Sequence, residues 1–88
     1  MATSKGLTFG AAAVYQIGVQ GRLNESWSDR MHGVDIRVRN RPNEAPVTVL
    51  TGHFVDQAAL AGVINTLYDM GFPLLKVELL EAQPLPKA

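Results

Sequence analysis

Apolar and polar positions alternate with two different periods along this chain. Between Val55 and Pro73 the period is helical: Leu60, Val63, Ile64 and Leu67 recur at i, i+3, i+4 and i+7 and form one apolar stripe. Asp56 can accept from the free N–H groups of the first turn, which makes it the expected N-cap. Val55 and Leu60 stand at the spacing of a hydrophobic staple. Gly71 suits the left-handed residue that closes a last turn, and Pro73 forbids continuation. The pattern predicts a helix from Asp56 to Met70.

Elsewhere the period is two, the mark of strands with one buried face. Tyr15, Ile17 and Val19 alternate with Gln16, Gly18 and Gln20 in a first strand that ends at Arg22. Val34, Ile36 and Val38 alternate with Asp35, Arg37 and Arg39 in a second. Val47 to Thr51 reads as a third strand broken by Gly52. Leu74 to Leu80 reads as a fourth, with Leu75, Val77 and Leu79 facing in. The loop expected between the second and third strands is Asn40 to Pro46, with two prolines and two asparagines. Between the first two strands, Asn24 suits an N-cap, Trp27 and Met31 share a helical face, and Gly33 suits a stop, so one short helix or a single wound turn is expected.

This order implies a small α+β domain, a ferredoxin-like βαββαβ sandwich with strand order four, one, three, two and a stunted first helix. Trp27 is the expected plug where that helix falls short. The alternative is a β-β-β-α-β meander in which the Trp27 segment is a loop. The domain is expected over residues 14–81, between a flexible arm (1–13), whose Leu7 and Phe9 could dock on a neighbour, and an extended tail (82–88).

Composition narrows the chemistry. The 88 residues contain no cysteine, which removes disulfides, thiolate metal sites and a catalytic thiol. Eight basic and eight acidic residues balance, against the basic excess of a dedicated nucleic-acid binder. The N-terminal run is a poor signal peptide and no stretch approaches a membrane span, so a cytoplasmic protein is expected.

The set Trp27-Ser28-Asp29, Leu50-Thr51-Gly52, Asp56-Gln57-Ala58-Ala59-Leu60 and Pro73-Leu74-Leu75 resembles a group of short, uncharacterised bacterial proteins. The resemblance covers about Val14 to Glu81. It implies a bacterial source and a single small domain, and it transfers no catalytic residue.

Candidate sites are sparse. In the expected topology the two histidines, His32 and His53, fall at one sheet edge with Asp56, a potential two-His-one-carboxylate metal site; the plainer reading is polar residues at element ends. Ser28 has no histidine in a recognisable triad relation and is expected, with Asp29, to hold the turn. The open sheet face is expected to carry Gln16, Gly18, Gln20, Arg37, Arg39, Thr48, Leu50, Lys76 and Glu78, with no aromatic ring for base stacking. Arg22, Arg37, Arg39 and Arg41 suit phosphate or an acidic partner, or simply guard an edge strand. Ala58, Gly62, Asn65 and Asp69 give the helix a small, polar outer face, where Gly62 would permit close approach of another backbone.

The reading that follows is a non-catalytic protein-interaction module, a homodimer or an accessory or regulatory subunit of a larger bacterial assembly. Trp27, Arg37, Arg39, Ala58, Gly62 and Asn65 are its expected partner contacts, and no cofactor is required. A small-ligand or metal-sensing domain using His32, His53 and Asp56 is the first alternative. A weak nucleic-acid binder acting through the arginine strand is the second.

Overall fold

The computed structural model describes residues 12–82. The expected tail from Gln83, and the expected arm as far as Ala11 with Leu7 and Phe9, lie outside these residues. The chain forms β1 (Ala13–Gln20), a 3-10 helix (Glu25–Met31), β2 (Asp35–Arg41), β3 (Glu44–Phe54), α1 (Gln57–Asp69) and β4 (Leu74–Ala82). The strands make one antiparallel sheet in the order β2-β3-β1-β4. Read from β4, that is the expected strand order.

Only one of the two expected split βαβ units has its α-helix: β3 and β4 flank β1 and are joined through α1. With one α-helix the main elements run β-β-β-α-β, and a 3-10 helix stands where the first helix was expected. Local chemistry explains the shortfall. Asn24 Oδ1 accepts from Ser26 N at 2.8 Å and starts the turn, but left-handed His32 (φ 62°) and Gly33 (φ 71°) end it after seven residues. Nor is the segment a plain loop, and β1 lies between β3 and β4, which a meander would not allow. Trp27 is only half-buried, with the Arg30 guanidinium 5.2 Å from its ring centre. It packs against the core from there, while Leu23, Met31 and Val34, all buried, fill the space beneath it.

On the other half of the same face, α1 buries Leu60, Val63 and Leu67 as its period requires. They join Tyr15, Ile17 and Val19 of β1 and Leu50 and Phe54 of β3 in one core. Asp56 caps the helix, its carboxylate accepting from Ala59 N at 2.8 Å. At the other end Phe72 N donates to Leu67 O and Gly71 N to Tyr68 O, both at 3.0 Å, with Gly71 at φ 86°: a Schellman closure. The expected staple is weak, because Val55 stays 65% exposed.

β3 departs most from expectation. It starts at Glu44, reducing the loop to Pro42 and left-handed Asn43 (φ 61°), and it continues through Gly52 to Phe54. Thr48 and Leu50, expected on the open face, are wholly buried on the core side. The Thr48 hydroxyl accepts from Leu23 N at 3.0 Å and donates to Gly21 O at 2.6 Å, so it clips the segment leaving β1 to the sheet. Gly52 is required by close packing: a Cβ there would lie 2.6 Å from Val34 Cγ1.

Thr48→Val keeps the shape but orphans the Leu23 N–H, and urea denaturation should show a loss of about 1–3 kcal/mol that Thr48→Ser largely avoids. Gly52→Ala should destabilise by about 1–3 kcal/mol through overpacking. Gly62→Ala, whose Cβ would meet nothing within 4 Å, should instead stabilise by about 1 kcal/mol.

Candidate functional site

β4 has every local reason to be a strand. Pro73 prevents helical continuation, and Leu74-Leu75-Lys76-Val77-Glu78-Leu79-Leu80 is rich in apolar residues with charges at alternate positions in its middle. It pairs with β1 on one side only, Gly18 facing Lys76, Ile17 facing Val77, Gln16 facing Glu78 and Tyr15 facing Leu79. Register shifts at Gly18/Val19 and Val14/Tyr15 make Leu75 and Leu80 the extra residues of two bulges. Among the described residues β4 is the last strand of the sheet, and the backbone groups of its outer edge have no strand partner there.

Its side chains are the unusual feature. Leu74, Leu75, Val77, Leu79 and Leu80 are between 37% and 49% exposed. Val77 and Leu79 lie on the core side, opposite Ile17 and Tyr15, yet the inward burial expected for them and Leu75 is not achieved, because α1 leaves this edge largely uncovered. Tyr68 on α1 is 79% exposed. Together these side chains form a continuous, partly exposed apolar strip along the sheet edge.

The opposite edge differs. β2 carries Asp35, Arg37, Arg39 and Arg41, charges that discourage strand addition. Its arginines are mostly engaged. Arg37 Nε donates to Asp35 at 2.7 Å, and this bond with the neighbouring charge raises the Arg37 pKa above its usual value. Arg41 pairs with Glu44 at 3.1 Å and donates to Ala45 O, while Arg22 donates to Asn40 Oδ1 at 2.7 Å. A shallow hollow of about 580 Å³ between β2 and the approach to the 3-10 helix is lined by Arg22 and Arg37 but also by Glu25 and Asp35. Its mixed charges give no clear preference for an anion.

The open sheet face presents Gln16, Gln20, Arg37, Arg39, Lys76 and Glu78 as expected, with Val47, Val49, Thr51 and His53 in place of Thr48 and Leu50. Gln16 Nε2 donates to Thr51 Oγ1 at 3.3 Å across it. The Lys76 stem lies over Gly18, with its Cγ 3.2 Å from where a Cβ would be.

The metal reading gains no geometry. His32 sets its ring edge-on to Phe54, 6.1 Å between centroids, whereas His53 is on the face opposite Phe54 and the Asp56 carboxylate is occupied as a cap. Among the described residues no three metal-ligating side chains converge. Ser28 Oγ donates to Val34 O at 2.6 Å and holds its turn; Asp29 is exposed. Ala58, Gly62, Asn65 and Asp69 form an exposed outer helix face, and among the described residues no other element approaches Gly62. Of the expected partner contacts, Arg37 and Arg39 share the open sheet face, while Ala58, Gly62 and Asn65 share the outer face of α1.

The β4 edge was absent from those expectations. Its signal lay in the sequence: five large apolar residues in a seven-residue run, more than the single buried face of an outer strand can use.

Among the described residues no helix is long and apolar enough to cross a membrane. No curated protein matches the sequence. A family model does match, over residues 14–78, from β1 into β4. The chain therefore belongs to the family described as Domain of unknown function (DUF8691).

Proposed function

We propose that this protein is a non-catalytic protein-interaction module whose partner adds to the sheet along β4. The carrying observation is the half-exposure of Leu74, Leu75, Val77, Leu79 and Leu80 on an edge strand with no proline inside it. Strand addition satisfies the free backbone groups of such an edge, and its apolar side chains supply affinity on both faces. The guarded β2 edge and the partnered arginines favour this surface over the arginine strand. We read the sheet as ferredoxin-like with its first crossover helix reduced to the 3-10 turn, an arrangement that leaves surface free for contacts. A bacterial cytoplasm, as part of a homodimer or a larger assembly, is the setting that goes with the sequence resemblance.

The test is affinity capture with the tagged full chain, co-expressed with a copy of itself bearing a second tag. Val77→Lys and Leu79→Lys should change folding stability by less than about 1 kcal/mol, since both side chains are already well exposed. Each should nevertheless reduce capture of the second copy, or of any co-purifying protein, by about tenfold or more. Gly62→Ala and Arg37→Ala should leave capture intact. Capture that survives both β4 substitutions and is lost with Arg37→Ala would overturn the reading in favour of the arginine strand.

A further inference from the structure

We infer that the occupant of the β4 edge is a second copy of this chain, paired antiparallel about a two-fold axis through Val77. This rests on the reading of β4 as the contact edge and adds the partner and the register.

The order of residues along β4 is complementary to itself when reversed. An antiparallel self-pairing centred on Val77 sets residue 77 + n opposite residue 77 − n of the other copy. Lys76 then faces Glu78 of the second chain, and Glu78 faces its Lys76. Leu75 faces Leu79, Leu74 faces Leu80, and Val77 faces itself. From Leu74 to Leu80 every apolar residue meets an apolar residue and every charge meets its opposite. Cross-strand pairs of both kinds are favourable, and like charges set opposite are not. Moving the centre to Glu78 would set Glu78 against Glu78 and Lys76 against Leu80; moving it to Lys76 would set Lys76 against Lys76.

The structure places the central pairs on matching faces, the stretch from Lys76 to Leu79 alternating regularly between the bulges at Leu75 and Leu80. Lys76 and Glu78 share the open face, where their side chains already meet at 3.3 Å. Two copies would join these into one alternating cluster of four charges. Val77 and Leu79 share the core face, and their counterparts would prolong the core across the junction. A closed two-fold contact of this type uses one patch twice, so the patch must be complementary to itself.

Single charge reversals break this match and mixing restores it. Light scattering and sedimentation of the purified full chain over a wide concentration range should show a monomer–dimer equilibrium. Lys76→Glu or Glu78→Lys alone should weaken dimerisation about tenfold, since two like-charged pairs then face each other. An equimolar mixture of the two variants should recover it as a heterodimer, because Glu at position 76 and Glu78 of one chain then meet Lys at position 78 and Lys76 of the other. The Lys76–Glu78 contact within each strand stays broken in that mixture, so recovery reports contacts between chains.

The register has its own readout, helped by the absence of native cysteine. Residues directly opposite place their Cα atoms about 4.5–5.5 Å apart, within disulfide reach. Val77→Cys should therefore cross-link to itself under mild oxidation. Leu75→Cys should not, its copies being about 13 Å apart. A mixture of Leu75→Cys with Leu79→Cys should cross-link. A dimer with strong Leu75→Cys self-cross-linking overturns this register. A chain that stays monomeric at every concentration, while β4 substitutions still abolish capture of another protein, overturns self-pairing and leaves the β4 reading standing. A dimer indifferent to Val77→Lys and Leu79→Lys overturns both.

Discussion

One α-helix cannot cover a four-stranded sheet. A helix with its side chains is about 10–12 Å across, whereas strands about 4.8 Å apart spread four of them over close to twice that width. α1 buries Leu60, Val63 and Leu67 in the core shared with β1 and β3. Everything else about the molecule follows from what remains uncovered. On the β2 side, Leu23, Met31 and Val34 come in from the segment after β1 and fill the space without a second helix. On the β4 side no described residue comes in to the same extent, and among the described residues five large apolar side chains stay partly exposed.

The fill on the β2 side depends on polar chemistry as much as on apolar packing. A chain segment that is neither strand nor α-helix needs partners for its backbone groups if it is to be buried. Thr48 provides them from within the sheet, accepting from Leu23 and donating to Gly21, while Ser28 serves Val34 O at the far end of the turn. Gly52 then lets Val34 press directly onto β3. These three small residues take the place of a helix surface. They are also why β3 runs on past Gly52: the residue that looks like a strand breaker is there to make room.

The elements legible in the sequence were those whose signals are local. The stripe of α1, its Asp56 cap and its Gly71 stop all proved to be what residue spacing said they were. The alternation of β1 gave its buried face correctly, with Tyr15 inside. The face of β3 was not legible, because Val47, Thr48, Val49, Leu50 and Thr51 are all β-formers and neither alternate set is clearly polar. Only the tertiary demand for the Thr48 hydroxyl decides the matter. The burial of β4 failed for a different reason: periodicity tells which side chains point toward a helix, and says nothing about whether the helix reaches them. The candidate surface was hidden behind that assumption, while Gly62 and the arginines drew notice because they are locally odd.

The contrast between the two sheet edges has a consequence for how far association can go. A strand that offers a free edge to a neighbour usually risks propagation, since the neighbour has a free edge of its own. Here the far edge is β2, with Asp35, Arg37, Arg39 and Arg41 along it and Pro42 at its end. A copy joined at β4 therefore exposes only another guarded border. If a second copy pairs there as proposed, growth would stop after one addition, and a patch that would mark an aggregation hazard on a symmetric sheet would be a self-limiting junction on this one.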